Sequence, residues 1–243
     1  MFDAWSDPHS WLAGSHFKIL GLLLVFACVH SGLASQRKKF EEKVGARVYR
    51  IVFALMSLPL AVAMIMFFIR HRYDGVMLWQ LQSYPGMIPL VWTLSAISFI
   101  FLYPATFNLL EIAAIQKPQV HLYETGIIRI TRHPQMVGQV IWCVAHLLWV
   151  GTTFNLATSF GLIGYHLFAT WHGDRRLQLR YGEAFERVKA RTSIIPFLAI
   201  LQGKQTLKLG EFVKPAYLGI AIFIGLFWWV HPLLVSSVSS LSL

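Results

Sequence analysis

Charge is what this sequence has least of. Of its 243 residues only 13% are Asp, Glu, Lys or Arg, against about 25% in soluble domains. The shortage is concentrated, since residues 19–36, 51–69, 75–110, 133–173 and 215–243 contain none of the four. A chain that is 56% hydrophobic and has such gaps is excluded from the water-soluble globular class and takes lipid as its solvent. Cysteine is scarce too. Cys28 and Cys143 are the only two, both inside charge-free stretches, which excludes a disulfide framework. The dense Cys/His spacing of a closed zinc site is missing. No internal repeat occurs, and the only low-complexity segment is the Ser-rich stretch at 236–242. The first 18 residues are short of Arg and Ser and contain Asp3 and Asp7, so no cleavable leader or plastid transit peptide is expected.

What is present is a series of segments of membrane-crossing length. A transmembrane helix needs about 20 apolar residues. The 133–173 stretch is twice that and is broken by a polar GTTFN turn at 151–155, which predicts two helices joined by a hairpin. Spans are expected over 17–35, 51–69, 87–110, 134–150, 156–171 and 217–235. The third should end in a Tyr103-Pro104 kink followed by Asn108 and Glu111. Loop charge tests this division, because Lys and Arg collect on the cytoplasmic side. Loops 37–50, 111–132 and 174–214 hold 18 of the 21 Lys and Arg. The expected fold is therefore all-α, a polytopic membrane bundle of about six transmembrane helices. It forms a single domain, 1–243, with a basic cytoplasmic loop at 173–214 and both termini on the outer or lumenal side. That loop should begin with a separate amphipathic helix at 174–181, resume after Gly182, and lay an apolar patch at 194–200 on the membrane surface. The net charge of +10 is then a topological signal, and nucleic acid is excluded as a partner.

Ionisable residues inside hydrocarbon are expensive and mark functional sites by default. Of the ten histidines, His30 sits in VHSGLAS, where Ser31 and Gly32 leave room for a ligand or a close helix. His146 shares a helix face with Cys143 and Gln139. His166 lies well inside the fifth span, in GYHLFATWH, while His133 and His172 mark the cytoplasmic rim. Each has a plainer alternative: His30 bonded to a nearby carbonyl, His133 and His172 as interfacial polar groups, Cys143 as a small core hydrophobe. His9, His16, His71, His121 and His231 fall in loops or interfaces and receive no role. Neutral imidazole is a ligand for iron, copper and zinc, and two histidines on different helices of a bundle can hold a haem between them. By the helical rise, His30 and His166 both lie about 10 Å from the cytoplasmic rim and His146 about 20 Å. Depth alone prefers His30 with His166, though helix tilt leaves His146 open.

Three segments carry a family resemblance: HSGLAS from His30, TGIIRITRHPQMVGQVIWCVAHLLWVG from Thr125, and WHGDRRLQLRYGEAFERVKARTSIIPF from Trp171. Together they closely resemble the 15-cis-zeta-carotene isomerases, within the wider NnrU-type membrane family, over residues 25–205. The Arg-His-Pro and Ala-His-Leu-Leu elements are similar to the denitrification-associated members also. Cys143, Trp149 and the GDRRL and RTS segments resemble the isomerases specifically. The resemblance implies a haem b enzyme, active as Fe(II), that isomerises the 15,15' double bond of 9,15,9'-tri-cis-zeta-carotene to the 9,9'-di-cis product. It implies haem ligands at His30 and His146 and a redox-sensitive ligand at Cys143; the depth count keeps His166 as the reserve ligand, and His133 is a further candidate cofactor contact. A hydrocarbon has no group for acid or base chemistry, so a cofactor must weaken the double bond while the protein supplies an apolar slot. A thiolate at Cys143 would favour ferric iron, which implies a ligand exchange that keeps the enzyme active only when reduced.

Two other readings compete. Arg132-His133-Pro134 with Gly138, and later Tyr181-Gly182-Glu183 with Pro196, also resemble membrane methyltransferases that use S-adenosylmethionine, with Arg175, Arg176 and Arg180 facing its carboxylate. Gly173-Asp174-Arg175-Arg176 departs from the paired glutamates usual there. The other reading is a denitrification-linked role without isomerase chemistry. The expected partners are a carotenoid and membrane lipid. The expected setting is a bacterial membrane, such as a cyanobacterial plasma or thylakoid membrane, or a plastid membrane for a mature plant form.

Overall fold

A computed structural model describes residue 7 and residues 9–106, 122, 124–213 and 215–241. His121, Asn108 and Glu111 lie outside the described residues. Within them the chain is helical apart from one short two-stranded clip.

Helix α1, Gly14–Ser35, is apolar on all sides, as a helix solvated by lipid is. The short α2, Arg37–Val44, carries the basic turn, with Arg37 Nε 2.7 Å from Glu41 Oε1 one turn on. Helix α3, Ala46–His71, starts after Gly45 and runs through Pro59 without ending, as transmembrane helices tolerate. Strand β1, Met77–Trp79, precedes α4, Met87–Thr106. A single turn, α5 (Ile127–Ile130), leads to α6, Pro134–Trp149, with Pro134 in its first turn, where a missing N–H is harmless. Strand β2, Gly151–Thr152, pairs antiparallel with β1. Helix α7, Thr153–Tyr181, follows at once, capped by the Thr152 hydroxyl, which accepts from Asn155 N–H at 3.2 Å. Then come α8 (Glu183–Arg191), the single turn α9 (Leu198–Leu201), a 3-10 turn at Leu209–Phe212, and α10, Pro215–Ser240.

Three of these helices, α1, α3 and α10, are long and apolar enough to cross a membrane, and α4 contains a shorter apolar helix, Met87–Leu102. Leu24, Leu55, Leu58, Ile65, Leu226 and Trp229 all point outward, as side chains in contact with lipid do. The expected separate helix at 174–181 is corrected: α7 continues through Gly173 to Tyr181 as one 29-residue rod. A change from apolar to charged residues marks where a helix leaves lipid and breaks none of its backbone hydrogen bonds. One glycine costs a helix only about 1 kcal/mol.

The bundle has two distinct ends. At the hairpin end, where β1 meets β2, Gly151 lies so close to Trp79 that a Cβ there would come 2.4 Å from Trp79 Cδ1 and O. His16, buried at the start of α1, places Nε2 3.1 Å from Thr153 Oγ1, which also accepts from Val76 N–H at 3.1 Å. The first helix is thereby pinned to the clip. At the basic-loop end, Phe101, Ile127, Ile130 and Val137 form a buried cluster with Met136, Ile141 and Phe212 packed on it. Between the ends, α4 and α6 pack most extensively of all element pairs. Gly138 permits this: a Cβ there would lie 2.8 Å from Leu102 Cγ and from Ser98 O. The Ser98 hydroxyl instead donates to Gly138 O at 2.8 Å, the small-residue contact by which helices approach in lipid.

Candidate functional site

The last turn of α6 would leave four carbonyls without helical partners, which is costly away from water. Here three of the four are taken up, together with the Val150 carbonyl just beyond. Trp79 Nε1 donates to Leu147 O at 2.8 Å and Gln82 Nε2 to Trp149 O at 2.7 Å. Asn155 Nδ2 donates to both His146 O at 2.9 Å and Val150 O at 2.6 Å. Asn155 is fully buried, so its amide serves this helix end and not solvent. The result is a rigid seat for His146.

The ring of His146 is itself oriented. Its Nδ1 lies 2.9 Å from Trp142 O. A carbonyl only accepts, so Nδ1 carries the proton and Nε2 keeps the lone pair that binds a metal. Trp142 stacks on the imidazole with centroids 3.7 Å apart, and Phe68 meets it edge-on at 6.3 Å. His146 lines a cavity of about 670 Å³ together with Trp92, Phe99, Trp142, Trp149, Phe227 and His231, with Arg72, Ser236 and Ser239 also in its wall. This volume falls in the range of about 300–1,000 Å³ typical of small-molecule and cofactor pockets. Its aromatic walls suit an apolar or planar occupant.

His30 lies elsewhere. It stacks on Phe26 at 5.0 Å and meets Phe53 at 4.7 Å, and its Nδ1 is buried without a hydrogen bond. Phe53 and Phe68 both lie on α3, fifteen residues apart, or roughly 22 Å along the helix. His30 beside the first and His146 beside the second are therefore held at opposite ends of the bundle. His166, on α7, meets Tyr165 at 5.3 Å, and Tyr165 in turn meets Phe26 at 5.7 Å, the ring on which His30 stacks. His166 also faces a smaller cavity of about 280 Å³ shared with Arg132, His133 and Thr170.

Cys143 is fully buried one turn before His146. Its Sγ lies 4.0 Å from Ser159 O on α7 and receives Gln139 Nε2 at 3.8 Å. It points toward α7 and is not part of the cavity wall. His133 sits at the N-cap of α6 with Nε2 2.9 Å from Asp174 Oδ1, while Arg132 Nε lies 3.2 Å from Asp174 Oδ2. Burial pushes the Asp174 carboxyl up, but His133 and Arg132 outweigh it and hold the group below the usual aspartate value. This network joins α6 to α7 and ties the aspartate inward. Among the described residues no three of His, Cys, Asp and Glu gather as a metal cluster.

Three features escaped the sequence. His231 faces the same cavity as His146, their ring centroids 6.4 Å apart. Trp92 stacks on Trp228 at 4.9 Å and meets His231 at 5.9 Å. Gln82 and Asn155 act on the end of α6. The available signal was a histidine within an apolar final helix, beside Pro232.

A family profile described as "NnrU protein" matches residues 18–238. The chain is 54% identical over 233 residues to the "15-cis-zeta-carotene isomerase, chloroplastic" of Arabidopsis thaliana, covering 94% of this chain and 63% of that one. It is 55% identical over 235 residues to the protein of the same name from Zea mays, covering 95% and 64%. The chain thus spans less than two thirds of the length of these curated relatives. No solved structure matches it.

Proposed function

Because the chain belongs to the NnrU protein family, we propose that it is the carotene-isomerising kind of NnrU protein. It turns the central 15-cis double bond of 9,15,9'-tri-cis-zeta-carotene to trans inside a membrane. The observation that carries this reading is the identity of 54% and 55% to two plant isomerases across nearly the whole of this chain. The hairpin-end cavity supports it. A C40 hydrocarbon is recognised by shape and dispersion alone, and tryptophan and phenylalanine walls offer large, stiff apolar faces. The carbonyls of His146, Leu147, Trp149 and Val150 there are already bonded, so they do not hold water beside the slot.

In this reading α4, α6 and α7 cross the membrane beside α1, α3 and α10, making six spans. Alternating the loops then gathers 18 of the 21 Lys and Arg on one face. Cysteines placed singly at the exposed residues 40, 84 and 207 of a Cys28→Ser chain and labelled from each side of sealed vesicles test that topology. Residues 40 and 207 should label from one side and residue 84 from the other.

A haem b cofactor belongs to the proposal, and when bound as Fe(II) it would supply the electron density that weakens a polyene double bond. The residues fit it in part. His146, with its proton fixed on Nδ1 and its cavity beside it, would hold the group through Nε2. His30 does not fit the same iron, since roughly 22 Å of α3 separates the rings that the two histidines touch. What the chain itself does is hold the occupant against Trp142 and Trp149, exclude water with the aromatic wall, and keep the His146 ring from rotating.

The direct test is to feed tri-cis-zeta-carotene to the purified, dithionite-reduced protein and resolve the products by chromatography. Formation of the 9,9'-di-cis isomer is the expected result. A reduced, folded preparation that leaves the substrate unchanged would overturn the reading.

A further inference from the structure

We infer that the groove between α1 and α7, on the outer face of the bundle, binds one anionic glycerolipid, with an acyl chain between the helices and the charged headgroup at the basic-loop end. No residue of the hairpin-end cavity takes part, so this site stands apart from the isomerase reading.

Glycine sets the shape of the groove. At Gly161 the two helices touch, and a Cβ there would lie 2.8 Å from Leu23 Cδ2 and 2.9 Å from Leu20 Cδ2. Toward the basic-loop end they part, and a Cβ on Gly32 would meet nothing within 4 Å. The gap is a cavity of about 630 Å³, with Leu24, Cys28 and Gly32 of α1 on one wall and Tyr165, Phe168 and His172 of α7 on the other. Leu20 and Ser35, the outermost α1 residues of that wall, are fifteen residues apart, or roughly 22 Å along the helix. One leaflet of hydrocarbon is about 15 Å deep, so an acyl chain fits along the wall with length left for the glycerol. The Ser35 hydroxyl donates to Gly32 O at 2.7 Å and is already satisfied beside such a chain.

The wide end supplies the charge. Arg176 Nη1 donates to Ala34 O at 3.1 Å, which carries the guanidinium across from α7 to the last turn of α1, beside Ser35. Arg175 lies over the ring of Trp171 at 5.7 Å, and that ring is exposed, as tryptophans at the headgroup level of a membrane are. Lys38 and Lys39, both exposed, follow Ser35 by three and four residues. Asp174 is turned inward to His133 and Arg132, and Glu41 is paired with Arg37, so neither carboxylate neutralises Arg175 or Arg176. A phosphate or sulfonate headgroup takes charge-assisted hydrogen bonds from such a guanidinium. A bare hydrocarbon would leave these cations unused, and a second copy of the chain would bring like charges to the same rim. An apolar slot that ends in cations matches an anionic lipid.

Cys28 reports occupancy without any substitution, because its exposed thiol lines the groove while Cys143 is buried. The full chain in detergent is labelled with a maleimide after addition of dioleoylphosphatidylglycerol, dioleoylphosphatidylcholine, inorganic phosphate or zeta-carotene. Phosphatidylglycerol should slow labelling about tenfold more than phosphatidylcholine, as one or two cations near a membrane surface discriminate. Phosphate and carotene should leave the rate unchanged. Native mass spectrometry should find one phosphatidylglycerol retained per chain. Arg176→Gln should make the two lipids protect equally. Gly32→Leu, whose new side chain enters open space, should elute as a monodisperse peak and lose the retained lipid. The inference is overturned if wild-type Cys28 stays unprotected by phosphatidylglycerol, or if phosphatidylcholine, phosphate or carotene protects it as well. A dimer that shields Cys28 without lipid, or a folded Gly32→Leu variant that keeps the lipid, would also overturn it.

Discussion

His133 at one end of the bundle and His146 at the other are used differently. At the basic-loop end, His133 meets Asp174, Arg132 meets the same carboxylate, and Arg129 pairs with Glu211 at 2.8 Å. Charges there are neutralised by neighbours and join α5, α6, α7 and the 207–213 region. At the hairpin end, His146 and His231 face a cavity walled by tryptophan and phenylalanine, and the ring of His146 is steered by a carbonyl. The first histidine ties helices together, and the second leaves a ring edge open to an apolar cavity.

The sharpest way to break this contrast is to exchange the consequences. His146→Ala should abolish isomerisation of zeta-carotene, while His133→Ala should keep turnover within about tenfold of wild type, since it sits at an N-cap and not in the cavity. Comparable loss from both would erase the distinction. Next in size is Gly138→Ala, whose new Cβ has no room against Leu102 and the Ser98 carbonyl. It should destabilise the α4–α6 contact by roughly 1–3 kcal/mol, read as a lower melting temperature in detergent. It should affect both ends together, because it lies between them.

Acid should separate the ends. The Arg129 guanidinium, with Gly126 N–H donating at 2.6 Å, holds the Glu211 carboxyl down at about 2. A carboxylate whose folded pKa is depressed contributes stability in full above its ordinary value and loses it as pH falls through the folded one. The contribution of Glu211 should therefore be complete above its ordinary 4.5 and fade as pH falls toward about 2. That of Asp174 should fade over its own lowered range. Limited proteolysis with an acid-active protease should cut the 174–213 region as pH drops, before tryptophan fluorescence at the hairpin end changes. Glu211→Gln should remove most of that pH dependence. The smallest effect belongs to Cys143→Ala, which removes one sulfur packed against Ser159 O and should cost about 1 kcal/mol. Under the haem proposal it should leave a ferrous haem spectrum nearly unaltered; loss of all haem would place Cys143 at the site after all.

Much of the fold was legible because lipid imposes a one-dimensional rule. Stretches without charge mark α1, α3 and α10, and the GTTFN run marks the hairpin. The continuity of α7 through Gly173 was not legible, since charge reports depth in the membrane and not the end of a helix. His146 was legible as a candidate from its burial within a span. His231 was not, because beside Trp228 and Trp229 it reads as part of an interfacial aromatic belt.

By itself the sequence determined which stretches are apolar and free of charge, where Lys and Arg gather, and which family the chain joins, because each depends on local composition or on shared residues in order. Only the tertiary structure decided which histidines meet. That depends on α10 returning to pack beside α3 and α4 and on Gly138 letting α4 approach α6. These contacts join residues far apart in the chain, and they set His30 and His146 at opposite ends of the bundle while bringing His231 within 6.4 Å of His146.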